Sequence, residues 1–274
     1  MKRQMRAIAA AIAVSLAGAA QAVAPLGTND LSRITEARIF VNDAKEVLPY
    51  RVYVPEGVQP GEKLPLVIFL HGSGECGVDN MKQMLNGPDA MIAYSRAKKT
   101  PVVLVAPQCP VGEVWAPLFW QPSTAKYQSR QSKMGRLVTE LAIKCIDTLP
   151  VDKDRVLLTG LSLGGYGVWD LLARNPSMYA AAMPVCGGGC PETCRKFANV
   201  PIWVFHGEKD PNVSVKLSRA MVSELWRLDA PVRYRETPDA GHAVWNAVYR
   251  DDGILKWFFS QRRKPDLPPG SVYF

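Results

Sequence analysis

Apolar and polar positions alternate along residues 37–41 and 50–55, the period-two pattern of strands with one wet face, and predict an antiparallel pair at a sheet edge. Further along, short apolar runs rich in β-branched residues occupy 66–70, 102–106, 156–159, 180–185 and 202–205. Runs of this kind predict strands buried on both faces. Between them, residues 131–149 repeat their apolar positions every three or four residues and stop at Pro150, which predicts an amphipathic helix. Further helices are predicted after Asp79, Gly164, Val213 and Ala243. Strands alternating with helices in this way predict an α/β fold with a mostly parallel sheet and helices on both faces. With no repeat or internal linker, residues 23–274 read as one domain whose Pro-rich end, 264–270, is exposed.

The N-terminus changes where this domain is expected to work. Lys2, Arg3 and Arg6 precede an uncharged, alanine-rich stretch over 7–20, and Ala20-Gln21-Ala22 supplies small residues for cleavage before Val23. That is the pattern of a signal peptide over residues 1–22, so the mature protein is expected to be secreted, periplasmic or extracellular, with no membrane attachment after cleavage. Losing three cations lowers the formal charge from +8 to about +5, scattered except for Arg262-Arg263-Lys264, and nucleic-acid binding is not supported.

Export also bears on the six cysteines, because disulfides persist outside the cytosol. Cys145 shares a helical face with Met134, Leu137, Val138 and Leu141, and Cys186 ends an apolar run, so both read as buried thiols. Two bridges are then expected, Cys76 with Cys109 and Cys190 with Cys194.

The chemistry centres on Gly160-Leu161-Ser162-Leu163-Gly164, a G-x-S-x-G motif between a strand-like VLLT and a helix-like stretch. A sharp strand-to-helix turn exposes such a serine at the carboxyl edge of a sheet, and the glycines avoid backbone clashes there. Serine needs a base with a pKa near 7, and only three histidines are present. His71 and His206 end strands upstream of, or beside, the candidate acid; His242, in the loop AGH, alone follows it. Chain order serine, acid, histidine selects Ser162, Asp210 and His242 as the catalytic set, with Glu208, Asp229 and Asp239 as rival acids. Two backbone N–H groups should hold an oxyanion: that of Leu163 and, from the loop Leu70-His71-Gly72-Ser73-Gly74-Glu75, that of Ser73, with Gly74 the fallback. His71 reads as a brace for that loop. Residues 108–129 lack periodicity and carry Trp115, Phe119, Trp120 and Tyr127, which marks a substrate loop. Trp115 and Trp120 from this loop, with Trp245, are the candidate substrate-binding residues.

The segments FLHGSGECGVDN, VAPQCP, GLSLGGYGVWDL, PVCGGG, FHGEKDPNV and AGHAVW together resemble the α/β-hydrolase superfamily over nearly all of residues 37–260. Within it they resemble the secreted esterases of the predicted-peptidase group, relatives of feruloyl and acetylxylan esterases and of the prolyl oligopeptidase catalytic domain. The resemblance implies a Ser162-Asp210-His242 mechanism with no metal and no other cofactor, acting on small-molecule or polysaccharide esters through an acyl-enzyme. A peptidase and a catalytically silent binding protein are the alternatives. Two departures stand out: Cys76 occupies a position where arginine is common after the glutamate, and Cys190 and Cys194 decorate the segment after the glycine run.

Overall fold

The computed structural model describes residues 23–117 and 127–263. Eight strands form one sheet in the order β1-β2-β4-β3-β5-β6-β7-β8. The hairpin of β1 (Glu36–Val41) and β2 (Val47–Tyr53) is antiparallel and joins β4 (Val103–Pro107) antiparallel through β2. Strands β3 (Leu64–Leu70), β4, β5 (Val151–Leu161), β6 (Ala181–Val185), β7 (Ile202–Gly207) and β8 (Val232–Thr237) run parallel. Every residue of β3, β4 and β6 is buried, as their continuous apolar runs require when helices cover both faces.

On one face lie α3 (Lys133–Thr148), α4 (Leu163–Arg174) and α5 (Val215–Arg227), which bury Leu137, Leu141, Val168, Leu172, Met221 and Leu225. On the other, α2 (Pro88–Ala97) and α7 (Asp252–Ser260) bury Met91, Ile92, Phe258 and Phe259, with α1 (Thr28–Ile34) and the single turn α6 (Trp245–Val248) beside them. Ser132 caps α3 through its side chain and Asp251 caps α7, each accepting otherwise orphaned N–H bonds.

Three elements depart from the periodicity reading. Strand β8 is absent from it: VRYRET buries little, and its arginines mask a strand whose partner lies on one side only. Helix α1 is too short to show a period. Strand β5 begins at Val151, ahead of its apolar run: Asp152, Lys153 and Asp154 lie at its amino-terminal end, where their side chains reach solvent and interrupt the apolar pattern.

Close packing of α4 over the sheet depends on absent side chains. A Cβ at Gly164 would collide with the Leu70 carbonyl oxygen, and one at Gly160 would sit 2.7 Å from the same oxygen. The obstacle in both cases is backbone, which cannot rotate away. Gly164→Val is therefore expected to cost more than about 4 kcal/mol and to yield no cooperatively folded protein, as thermal unfolding followed by circular dichroism would record.

Candidate active site

Ser162 sits between β5 and α4 with φ 52° and ψ −115°, a left-handed conformation that serine adopts only under constraint. The constraint is visible: its N–H donates to the Val185 carbonyl (2.9 Å), and its carbonyl starts the α4 ladder by accepting the Tyr166 N–H (3.2 Å). The turn holds Oγ toward the loop that follows β8. There His242 Nε2 accepts the Ser162 hydroxyl at 2.9 Å, and His242 Nδ1–H donates to Asp210 Oδ2 at 2.6 Å.

Asp210 follows β7 and its side chain is fully buried. Its Oδ1 accepts the backbone N–H of Asn212 and of Val213, both at 2.9 Å. Burial alone would favour the neutral acid, but the donors from His206, His242, Val213 and Asn212 outweigh it and hold the carboxyl well below the usual carboxylate range. The strand carrying the acid and the loop carrying the histidine are packed together at Gly207, where a Cβ would strike the Gly241 carbonyl oxygen.

The rival acids face elsewhere. Glu208 accepts the Asp239 N–H (3.1 Å), Asp239 pairs with Lys209 at the exposed surface, and Asp229 lies past the end of α5 with φ 51°.

The loop after β3 turns into a single 3-10 turn, Ser73–Glu75. Its Gly72 lies against Ser162: a Cβ there would be 3.5 Å from Ser162 Cβ and 2.7 Å from Leu161 Cδ1. The Glu75 side chain reaches back toward the Gly72 N–H and also accepts the Asn86 side-chain amide at 2.8 Å, while burial raises its pKa. That contact engages the Gly72 N–H. Neither the Ser73 N–H nor the Leu163 N–H, each opening a helical turn, has a protein acceptor among the described residues.

His71 is buried behind the loop. Its Nδ1–H donates to the Gly72 carbonyl (2.6 Å), its Nε2 accepts the Cys109 N–H (2.9 Å), and its own carbonyl accepts Trp115 Nε1–H (3.0 Å). Burial pushes its pKa down to about 4. As pH falls from about 6.5 to about 4, unfolded chains bind a proton here that native ones refuse, so stability drops by up to about 3 kcal/mol. The melting temperature should fall across that window in wild type, and His71→Gln should flatten the slope.

The tryptophans separate. Trp115 is 0% exposed and packs edge-on against His71, so it braces the loop after β3 from behind and does not line a pocket as the sequence suggested. Trp245 opens α6 and packs edge-on against the His242 ring with centroids 5.0 Å apart, leaving part of its surface exposed. Trp120 and Phe119 lie outside the described residues. The carboxyl end of their segment is tied down by Arg174, whose guanidinium donates to the Gln128 and Ser129 carbonyls and pairs with buried Asp170.

Two groups at the site escaped sequence reasoning. Cys186, just past β6 with φ 48°, directs its thiol to the His242 carbonyl at 3.1 Å, and burial pushes that thiol up to about 12. His206, at the end of β7, faces Asp210 Oδ2 at 3.2 Å. With Asp210 these two form a group whose ligand atoms all lie within 4.8 Å. Each is engaged by protein groups: Asp210 by His242, Asn212 and Val213, His206 by Ser218 and Val213, and Cys186 by the His242 carbonyl.

Among the described residues no disulfide is formed, and all six cysteines are free thiols. Cys76 and Cys109 are in thiol contact, with the Gly77 N–H donating to the Cys109 carbonyl at 3.0 Å. The expected Cys190 and Cys194 bridge is not made: Cys194 Sγ points to the Met221 carbonyl on α5.

A mostly parallel sheet, a strained serine after the central strand, an acid after β7 and a histidine after β8 define an α/β hydrolase. The dienelactone hydrolase family model matches residues 112–253, and the chain belongs to that family. It is similar to a thermostable esterase of known structure, with 34% identity and a TM-score of 0.79 over 84% of this chain and 64% of that one. A ferulic acid esterase shares the fold at 17% identity and a TM-score of 0.59, covering 82% and 98% of the two chains. A secreted protein of Arthroderma benhamiae is 24% identical over 72% of this chain, which spans 23% of that protein's length. The chain thus spans less than two thirds of the first relatives it matches.

Proposed function

We propose that this chain is a secreted serine hydrolase that cleaves carboxylic esters through an acyl-enzyme. The observation that carries the reading is the continuous chain from Ser162 Oγ through His242 to the buried Asp210 carboxylate. His242 Nε2 takes the hydroxyl proton as Oγ attacks the ester carbonyl, and Asp210 fixes the tautomer and stabilises the imidazolium that forms. The free N–H groups of Leu163 and Ser73 receive the oxyanion, each worth about 10²- to 10³-fold in rate. The proton then passes to the departing alcohol, and water repeats the sequence to release the acid. This route calls on protein groups alone, without a metal or other cofactor.

Similarity to a thermostable esterase and to a ferulic acid esterase supports esters as the substrate class. The part-exposed face of Trp245 beside His242 suits a sugar or phenolic ring, which points to acylated polysaccharide as well as small acyl esters. Secretion rests on the signal-like residues 1–22 and on the secreted relative; no helix among the described residues is long and apolar enough to cross a membrane. Residues 23–274 form one catalytic unit in this reading.

In an oxidising compartment the Cys76 and Cys109 thiols close into a disulfide that clips the oxyanion loop to the end of β4. Peptide mapping of the non-reduced exported protein should recover that pair linked; free thiols at both positions would remove the clip.

The reading is tested with a panel of chromogenic acyl esters, acetylated xylan and peptide amides, alongside a fluorophosphonate probe. Ester turnover with labelling at Ser162 is expected. Turnover confined to amides would replace it with a peptidase, and neither turnover nor labelling would leave a silent binder.

A further inference from the structure

Asp210 is saturated with donors, and one of them is not part of the triad. His206 lies at the carboxyl end of β7 with no exposed surface, four residues before the acid. Its Nε2 faces only acceptors, the Val213 carbonyl at 2.9 Å and Asp210 Oδ2 at 3.2 Å, so Nε2 must carry a hydrogen. On the other side of the ring, Nδ1 meets Ser218 Oγ at 2.7 Å, and that hydroxyl lies 2.9 Å from the Gly187 carbonyl. A hydroxyl has one hydrogen. Ser218 gives it either to Gly187 or to Nδ1, and in both cases Nε2–H stays aimed at the acid and the ring stays anchored to α5.

We infer that His206 is a positioning residue for the acid, an outer histidine that holds Asp210 Oδ2 alongside His242 and is itself anchored to α5 through Ser218. The inference rests on the triad reading above. The carboxylate then divides its charge between two imidazole rings: one moves a proton during turnover, and the other stays fixed. By sharing Oδ2, His206 takes up part of the carboxylate charge that would otherwise act on His242 alone. The other groups facing this cluster are the Cys186 thiol from β6 and the Tyr166 hydroxyl from α4 beside Asp210, and Glu236 from β8 beside His206.

The test compares His206→Leu, His206→Gln and Ser218→Ala with wild type. Gln can place its amide N–H where Nε2–H stood; Leu cannot. With His206→Leu, kcat on the best ester should fall about tenfold to a hundredfold with KM nearly unchanged. The acid limb of the kcat/KM profile should move up by roughly one pH unit. His206→Gln should recover most of the rate and return the limb, and Ser218→Ala should shift it in the same direction by less. A purely structural role would lower the melting temperature and leave the limb in place. Because the chain has only three histidines, the His242 ring can also be titrated by NMR without any turnover. An NMR pKa for His242 that rises in His206→Leu supports the inference even if no ester is cleaved, in which case the proposed activity is what fails. An unchanged His242 titration in folded His206→Leu overturns it. Should that variant not fold, an unchanged titration in Ser218→Ala does so.

Discussion

With Ser162→Ala, ester turnover falls by about 10⁶-fold and fluorophosphonate labelling disappears, while the melting temperature stays near that of wild type. The size of the effect follows from the geometry. Ser162 Oγ is the atom that His242 Nε2 meets, and removing it leaves the base with nothing to deprotonate but water. The left-handed backbone persists because it is imposed by the Val185 and Tyr166 hydrogen bonds, which do not involve the side chain. Residual hydrolysis above the water rate, from the Leu163 and Ser73 amides and from substrate binding, would be consistent with this picture. A mutant that kept even a hundredth of the turnover would place the nucleophile elsewhere.

Asp210→Asn is the second large effect, about 10⁴-fold in kcat, or about 5 kcal/mol in the barrier. The asparagine amide is nearly the same shape but brings two hydrogens into a position where four donors already converge: Asn212 N, Val213 N, His206 Nε2 and His242 Nδ1. Whichever way it turns, an N–H meets an N–H. The cheapest relief is for His242 to hold its proton on Nε2 instead, which points a hydrogen at Ser162 and ends its use as a base. The check is steady-state kinetics with ¹⁵N-labelled histidine reporting the tautomer. A Tm drop without a tautomer change would make Asp210 a structural residue. With its pKa held well below the usual carboxylate range, Asp210 stays charged as the pH falls, so an acid loss of activity does not report protonation of the acid.

Why some of this was readable from residues alone, and some was not, has a local physical answer. Strand β3 is readable as an unbroken apolar run because both its faces are covered, and helix α3 carries a strong period because only one of its faces meets the core. The serine elbow is readable because its geometry demands glycine at 160 and 164, where backbone would collide with any Cβ. The order of serine, acid and histidine was sufficient to name the three side chains that meet in one hydrogen-bonded chain. Strand β8 was missed because Arg233 and Arg235 occupy alternate positions on a strand that is paired only with β7. Trp115 was misread because aromatic residues in an aperiodic loop give no sign of which way they point; here the indole turns inward to the His71 carbonyl. His206 and Cys186 look like ordinary strand ends, and their relation to Asp210 arises only when β6 and β7 lie side by side.

That last dependence reaches beyond the folded state. Ser162 follows β5, Asp210 follows β7 and His242 follows β8, and parallel neighbours of this kind pair only after long loops have closed, the slow part of folding. The β1–β2 hairpin, which could form early and locally, carries none of the three. Until the sheet has assembled through its last strand, the chain has a serine but no base beside it and no acid behind the base. The onset of activity is therefore a late clock for folding, and a newly made chain stays chemically inert until that assembly is complete.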